Sequence, residues 1–169
     1  LTGNCPVVVA RQRRDGDWNV YEKSRKSTTK AKSLWTETEV ISEQGTIEMG
    51  ALGLAEQFAH PKPIALIQKC IRICTGSNDL VLDFFAGSGA TAHAALDLNK
   101  QDGGNRKFIL VQLPEPTGRT DYPTIADITK ERVRRAIRKL NDAEEGQMPL
   151  SGVQDRGFRV FKLAESNFK

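Results

Sequence analysis

The residues best suited to chemistry in this chain lie in the run Asp83-Phe84-Phe85-Ala86-Gly87-Ser88-Gly89-Ala90-Thr91. The apolar residues Leu80-Val81-Leu82 precede it, and the helix-forming stretch 92–98 follows. A strand that breaks into a glycine turn and restarts as a helix gathers backbone N–H groups at one point. No side chain at Gly87 or Gly89 intervenes, and glycine takes positive φ without steric cost. The helix beginning near Ala90 aims its free N–H groups at the same place. Asp83 falls at the carboxyl end of the strand, where open α/β sheets bind their ligands; its carboxylate accepts hydrogen bonds and favours a cationic group. These features suit a nucleoside cofactor, and a tight structural turn is the other reading of the same residues. Gly87, Gly89 and Ala92 satisfy the looser form of the dinucleotide fingerprint, which tolerates alanine at its last position.

Glu115 adds a second acid. It follows the apolar run Phe108–Leu113, which reads as a second strand, and in a parallel sheet it then lies beside the end of the first. An acid at that place binds ribose hydroxyls in nucleoside-binding folds; an exposed turn residue is the alternative. Its distance in sequence from Gly89 is longer than usual, and the polar run 99–106 accounts for the excess.

The remaining reactive side chains form no set. Cys5, Cys70 and Cys74 are odd in number and include no Cys-x-x-Cys pair. Cys70 and Cys74, four apart in an expected helix, read as reduced core residues. His60 and His93 are the two histidines and do not complete a zinc ligand set, so no metal is expected. With 169 residues, 38% of them hydrophobic and 27% charged, the chain has the size and composition of one ordinary globular domain. It contains no apolar run of the ~18 residues that a membrane span needs and opens with no signal peptide, which implies a cytoplasmic protein without membrane contact. The net charge of +4 is uneven. From Arg11 to Lys32 eight Lys or Arg face three acids, whereas 33–59 holds five Glu and no base. Such a basic segment suits phosphate contacts driven by counterion release; a solvated loop face is the plainer alternative.

Elements must position these groups. Pro6–Ala10 and Trp18–Tyr21 read as a hairpin about Asp15-Gly16, and Lys23–Lys32 reads as a loop; nothing before about residue 45 looks like an independent core. At His60-Pro61-Lys62-Pro63 the residue before each proline is pushed out of the helical region, and Pro63 suits the first turn of a helix. Ile64, Leu66, Ile67, Cys70, Ile71 and Cys74 then repeat at helical spacing, a stripe expected to pack on a sheet, with Gly76 closing the helix. The strand Leu80–Phe85 is almost continuously apolar, as for a parallel strand buried on both faces. Asn99–Arg106 reads as a polar loop. Thr124 opens a helix with Asp127 completing the cap; its apolar side is Ile125, Ile128, Val133, Ala136, Ile137 and Leu140, and its other side is basic. Gly157–Leu163 has the composition of a third strand. Strand, helix, strand, helix, strand is the order of an α/β fold with a parallel sheet and right-handed crossovers.

Asp83-Phe84-Phe85-Ala86-Gly87-Ser88-Gly89 resembles the S-adenosyl-L-methionine (AdoMet) motif of amino-methylating DNA methyltransferases. A wider string resembles the modification subunit of type III restriction–modification systems over roughly residues 45–169. It comprises Phe58-Ala59-His60-Pro61-Lys62-Pro63 with Leu66-Ile67, Ala92-His93-Ala94, Phe108 through Glu115, Gly157 through Leu163, and Ser166-Asn167-Phe168. The resemblance implies a Rossmann-like methyltransferase fold, of which this chain is the cofactor-binding half of a mainly parallel sheet. Residues 1–45 would be a remnant of the target-recognition or linker region, and 46–169 the AdoMet-binding part. It assigns His60, Pro61, Lys62 and Pro63 to the cofactor rim, Asp83, Phe84, Phe85, Ala86, Gly87, Ser88 and Gly89 to the methionine part, and Glu115 to the ribose. Ala90 stands where threonine is common, with Thr91 next to it.

The implied function is the C-terminal, AdoMet-binding portion of a site-specific DNA adenine N6-methyltransferase, with double-stranded DNA and a restriction subunit as partners. Such enzymes also carry an Asp/Asn/Ser-Pro-Pro-aromatic loop, which accepts from the target amino group and stacks on the flipped base. In the permuted class this loop precedes the cofactor half. None of the seven prolines here forms a Pro-Pro pair. No catalytic residue is therefore expected in the chain, which reads as a C-terminal fragment or one piece of a split enzyme, inactive alone. The strand Leu80–Phe85 would present an open apolar edge, expected to be covered by the N-terminal residues or by another copy of the chain. One alternative is a non-catalytic remnant that contacts DNA or a partner subunit through Arg11–Lys32 and the basic helix Lys130–Lys139. Another, a nicotinamide-type dinucleotide binder, is disfavoured by the family string.

Overall fold

A computed structural model describes residues 8–22, 30–145 and 154–164. The chain divides into two compact units, Leu1–Ser33 and Leu34–Lys169. In the first, strands β1 (Val8–Gln12) and β2 (Trp18–Glu22) pair antiparallel, Val8 opposite Glu22 and Gln12 opposite Trp18. The expected turn joins them: the Arg13 N–H donates to the Asp17 carbonyl at 2.6 Å, and the Asp17 N–H to Asp15 Oδ1 at 3.2 Å. Trp18, Val20 and Tyr21 of the hairpin are exposed. Cys5, Pro6 and most of the expected basic loop, Lys23 to Thr29, lie outside the described residues.

The second unit contains α1 (Ser42–Ala51), α2 (Ile64–Cys74), β3 (Leu80–Asp83), α3 (Ala90–Asp102), β4 (Lys107–Leu110) and α4 (Ile125–Asp142). β3 and β4 are parallel, Leu80 beside Lys107 and Asp83 beside Leu110, with α3 as the crossover. Their hydrogen bonds continue past the strands: the Val111 N–H reaches the Asp83 carbonyl at 2.9 Å, and the Ala86 N–H the Val111 carbonyl at 3.1 Å. α3 is the centre of the unit, with every residue from Ala90 to Leu96 buried, together with Leu98 and Asn99. Its alanines let neighbours approach closely. Ala94, Ala95 and Leu98 pack on Ile71 of α2, with Val81 and Phe108 of the sheet against the same cluster. Ala92 and Leu96 pack on Val133 and Leu140 of α4. A separate cluster joins Met49, Leu52 and Leu54 to Ile128. Each such large aliphatic side chain removed from water contributes about 1.5–3 kcal/mol.

α4 opens with the anticipated capping box. Thr124 Oγ1 accepts the Asp127 N–H, and Asp127 Oδ2 accepts the Thr124 N–H, so two otherwise orphaned donors are satisfied. Hydrogen bonds from Lys130, and then from Thr124, hold the Asp127 carboxyl down at about 2.

Several expectations are corrected. The polar run 99–106 is not all loop, since α3 continues to Asp102 and Gly103 ends it at φ +70°. Its polar residues satisfy one another: the Asn99 amide brackets the Arg106 peptide group at 2.9 Å on each side, and the Arg106 guanidinium grips Asp102 at 2.8 and 3.0 Å. Gly157–Leu163 forms no strand. Gln154 and Arg156 tie that segment to Asn99, Gly104, Asn141 and Glu144 instead, Phe158 joins the α3–α4 cluster, and Phe161 and Leu163 remain exposed. α2 ends at Thr75, whose N–H and hydroxyl both return to the Ile71 carbonyl, rather than at Gly76.

β3 is not buried on both faces. Val81 packs beneath the helices, but Leu80 and Leu82 are each 58% exposed, because α2 and α3 cover one face and β4 alone pairs with β3 among the described residues. Cys70 and Cys74 are likewise exposed, not core. They share an apolar groove of about 310 Å³ with Ile67, Leu82, Phe84 and Phe85, since the inward side of α2 is taken by Ile64, Ile67 and Ile71.

Candidate functional site

The turn between β3 and α3 is held at five points. Asp83 organises its own strand end: Oδ1 accepts the Phe85 N–H at 3.0 Å, and Oδ2 accepts the Thr91 hydroxyl at 2.5 Å. From the neighbouring strand's extension, Gln112 Oε1 accepts the Gly87 N–H at 2.7 Å. From α4, the Thr129 hydroxyl donates to the Gly87 carbonyl at 2.5 Å, and Arg132 Nη1 to Ser88 Oγ at 2.7 Å. Gly89 is the N-cap of α3, with φ +82°. A Cβ there would stand 3.2 Å from both the methyl and the carbonyl of Thr129, so position 89 demands glycine for its φ and its space alike.

The result is a turn of fixed shape with unused donors. Among the described residues no side chain caps α3, whose first N–H groups have no intrahelical partners. Ala86, Ser88 and Thr91 are buried, Gly87 and Asp83 half-buried, and Phe84 and Phe85 exposed, their rings 5.0 Å apart beside the apolar groove. The arrangement offers backbone donors and a helix N-terminus for an anionic group, a carboxylate for a cationic one, and aromatic surface for an apolar one.

Glu115 joins this set through Gln112, whose Nε2 donates to Glu115 Oε2 at 3.2 Å while its Oε1 holds Gly87. The main chain of Glu115 is anchored by the Ile125 N–H at 2.9 Å, and its side chain is exposed.

The His60–Pro63 segment is connected to the turn through Glu48 of α1 and Arg132 of α4. Pro61 and Pro63 are buried, His60 and Lys62 exposed, and Pro63 is the N-cap of α2 rather than part of its first turn. α1 runs so close to this segment that a Cβ on Gly45 would lie 1.9 Å from the Pro61 carbonyl oxygen. Phe58, just ahead of it, approaches Gly87, its Cζ 3.4 Å from where a Gly87 Cβ would be. Glu48 of α1 supplies the cap that Pro63 lacks, its two oxygens accepting the Ile64 N–H at 3.1 and 2.9 Å. Glu48 also faces Arg132 at 3.6 Å. Burial pushes the Glu48 carboxyl up, against the pull of the Ile64 N–H and Arg132. Burial lowers the Arg132 guanidinium to about 10, which leaves it charged at neutral pH. His93, buried in α3 with Nδ1 unpartnered, is lowered to about 3 by burial, then by Arg132 and Lys139, and is neutral.

The residues expected from sequence thus come together in three groups: Asp83 to Thr91, Glu115, and His60 to Pro63. Sequence reasoning missed Glu48, Gln112, Thr129 and Arg132. Gln112 lies three residues before Glu115, and Thr129 and Arg132 are one turn apart on the inward side of α4, a spacing that a search for a second polar stripe would have found. A wider groove, about 480 Å³, lies on the other side of α4 among Arg134, Ile137, Arg138 and Phe158, and shares no residue with the turn.

Residues 9–140 match the family model described as DNA methylase. Among curated relatives, the chain is 39% identical over 153 residues to the Mod subunit of the type III restriction-modification enzyme EcoPI from Escherichia phage P1, covering 84% of this chain and 23% of that protein. It is 38% identical over 113 residues to the StyLTI Mod subunit from Salmonella typhimurium, covering 63% of this chain and 17% of that one. It is 37% identical over 123 residues to the type II methyltransferase M.KpnI from Klebsiella pneumoniae, covering 68% of this chain and 30% of that one. The chain therefore spans less than a third of the length of each of these relatives, and the likeness to type III modification subunits read from the motifs is borne out.

Proposed function

This chain belongs to the DNA methylase family, and from that membership we propose that its glycine turn holds AdoMet, as the donor-binding part of a DNA adenine N6-methyltransferase of a type III restriction–modification system. The observation that carries the reading is the turn itself: a glycine cradle at an uncapped helix N-terminus, with Asp83 on one side and Glu115 on the other. This donor set fits the ligand. AdoMet brings an ammonium and a sulfonium for carboxylates, a carboxylate for backbone N–H groups, and a ribose diol for an exposed acid. Asp83, whose two oxygens each receive one hydrogen bond here, keeps lone pairs for a cationic group. The turn from Phe84 to Gly89 with Thr91 holds the amino-acid end, Glu115 the ribose, and His60 to Pro63 form the rim.

When bound, AdoMet supplies an electrophilic methyl group. The chain's own residues bind and orient that donor, and their contribution is positioning and electrostatics rather than covalent chemistry. No residue here takes the part of the Pro-Pro-aromatic loop, so on this reading the chain does not transfer methyl groups by itself. Duplex DNA, a restriction subunit and cover for the open β3 edge by a second copy complete the proposed partners; the exposed side chains Leu80 and Leu82 on the uncovered face of β3, with Phe84 and Phe85 just beyond it, support the last of these.

Calorimetric titration with AdoMet, NAD and duplex DNA tests the reading. Micromolar AdoMet binding that Asp83→Ala abolishes is the expected result, and preference for NAD would sink it. The exposed bases Arg11, Arg13 and Arg14 of the hairpin favour one second reading, a non-catalytic DNA- or subunit-binding remnant. DNA binding with no nucleoside affinity would select it.

A further inference from the structure

Arg132 is fully buried, yet it is not part of any surface that meets a ligand. Its Nη1 donates to Ser88 Oγ at 2.7 Å, inside the glycine turn, and its Nη2 lies 3.6 Å from Glu48 Oε2. Glu48 in turn receives the Ile64 N–H, the start of the helix that leaves the His60–Pro63 rim. One turn earlier on α4, Thr129 holds the Gly87 carbonyl. We infer that Arg132 is a positioning residue: its guanidinium links Ser88 to Glu48, and so fixes the separation between the glycine turn and the His60–Pro63 rim. A buried ion pair is a poor way to gain stability, since well-packed apolar residues of the same volume commonly do as well or better. What the guanidinium adds is geometry: one nitrogen is hydrogen-bonded to Ser88 while the rigid group sets its charge against Glu48 as an ion pair, without a hydrogen bond at Nη2.

Backbone hydrogen exchange measured on the free chain is the direct test, with AdoMet calorimetry as a second arm that rests on the proposed donor site. In Arg132→Met and in Ser88→Ala, residues 86–91 should exchange about tenfold faster, the loss of one charge-assisted hydrogen bond. AdoMet affinity should fall in parallel, the double variant should be no worse than the more severe single one, and Arg132→Lys should recover part of both effects. If Arg132→Met does not fold, Ser88→Ala decides. Parental exchange at 86–91 in a folded variant overturns the inference. If the exchange result holds while the parent takes up no AdoMet, the positioning role stands and the donor assignment falls instead.

Discussion

The backbone N–H of Gly87 donates to Gln112 Oε1 at 2.7 Å, a bond between residues 25 apart in sequence. The other end of the same amide reaches Glu115. One neutral side chain thus connects the turn after β3 to the acid after β4, and any ligand spanning the two meets them at a set spacing.

Gln112→Ala removes both bonds while leaving the strands intact. AdoMet affinity is expected to fall about five- to thirtyfold, the scale of one hydrogen bond of about 1–2 kcal/mol. Glu115→Ala should weaken binding as well, and the pair should be less than additive because the two residues act together. Calorimetry on the three variants checks this; full additivity would count against a shared role.

Gly89→Ala places a Cβ at φ +82° and 3.2 Å from Thr129. A left-handed conformation costs a non-glycine residue about 1–2 kcal/mol before the contact is counted. At about 2–4 °C per kcal/mol for a chain of this size, the thermal unfolding midpoint should fall by at least ~2 °C. Loss of AdoMet affinity should exceed that of a variant equally destabilised elsewhere.

His93 gives the fold a pH dependence. Its folded value, about 3, lies below the ordinary 6.5, so the unfolded chain binds the proton more readily in between. Stability from this group is complete above 6.5 and is lost as pH falls towards 3, at up to about 1.4 kcal/mol per pH unit. Glu48 works the other way: burial raises it, so its contribution declines as pH rises above its ordinary range. Chemical denaturation at pH 7.5 and pH 5 should show a clear loss for the parent and a smaller one for His93→Leu. Equal losses would mean that His93 is protonated in the fold.

Cys70 and Cys74 border the bare edge of β3 and are exposed. In a Cys5→Ser background both should react with a thiol reagent under native conditions at a rate near that of unfolded chain. If a second copy covers the edge, labelling slows as protein concentration rises. A rate independent of concentration removes the second copy as the cover.

What was legible in the sequence was local. The Asp15-Gly16 hairpin, the start of α3 immediately after Gly89 and the Thr124–Asp127 cap each depend on residues a few positions apart, and each is found where the pattern puts it. Gly157–Leu163 has strand composition but no strand, because Gln154 and Arg156 tie the chain just before it to α3 and the end of α4 and away from the sheet edge. Leu80 and Leu82 read as buried, but burial depends on what lies on the second face. Arg132 was hardest to see. Its spacing from Thr129 puts it on the inward side of α4, but its partners, Glu48 and Ser88, lie 84 and 44 residues away, and no local pattern names them.

The dense packing of α3, buried from Ala90 through Leu96, bears on how fast a ligand is captured. A helix wedged between α2 and α4 has little room to rotate, so a ligand of the proposed site would meet the turn at its head in the shape described above. Little ordering entropy is then left to lose on association. Arrival rates should be similar for cognate and near-cognate nucleosides, with selectivity expressed in how long each one stays.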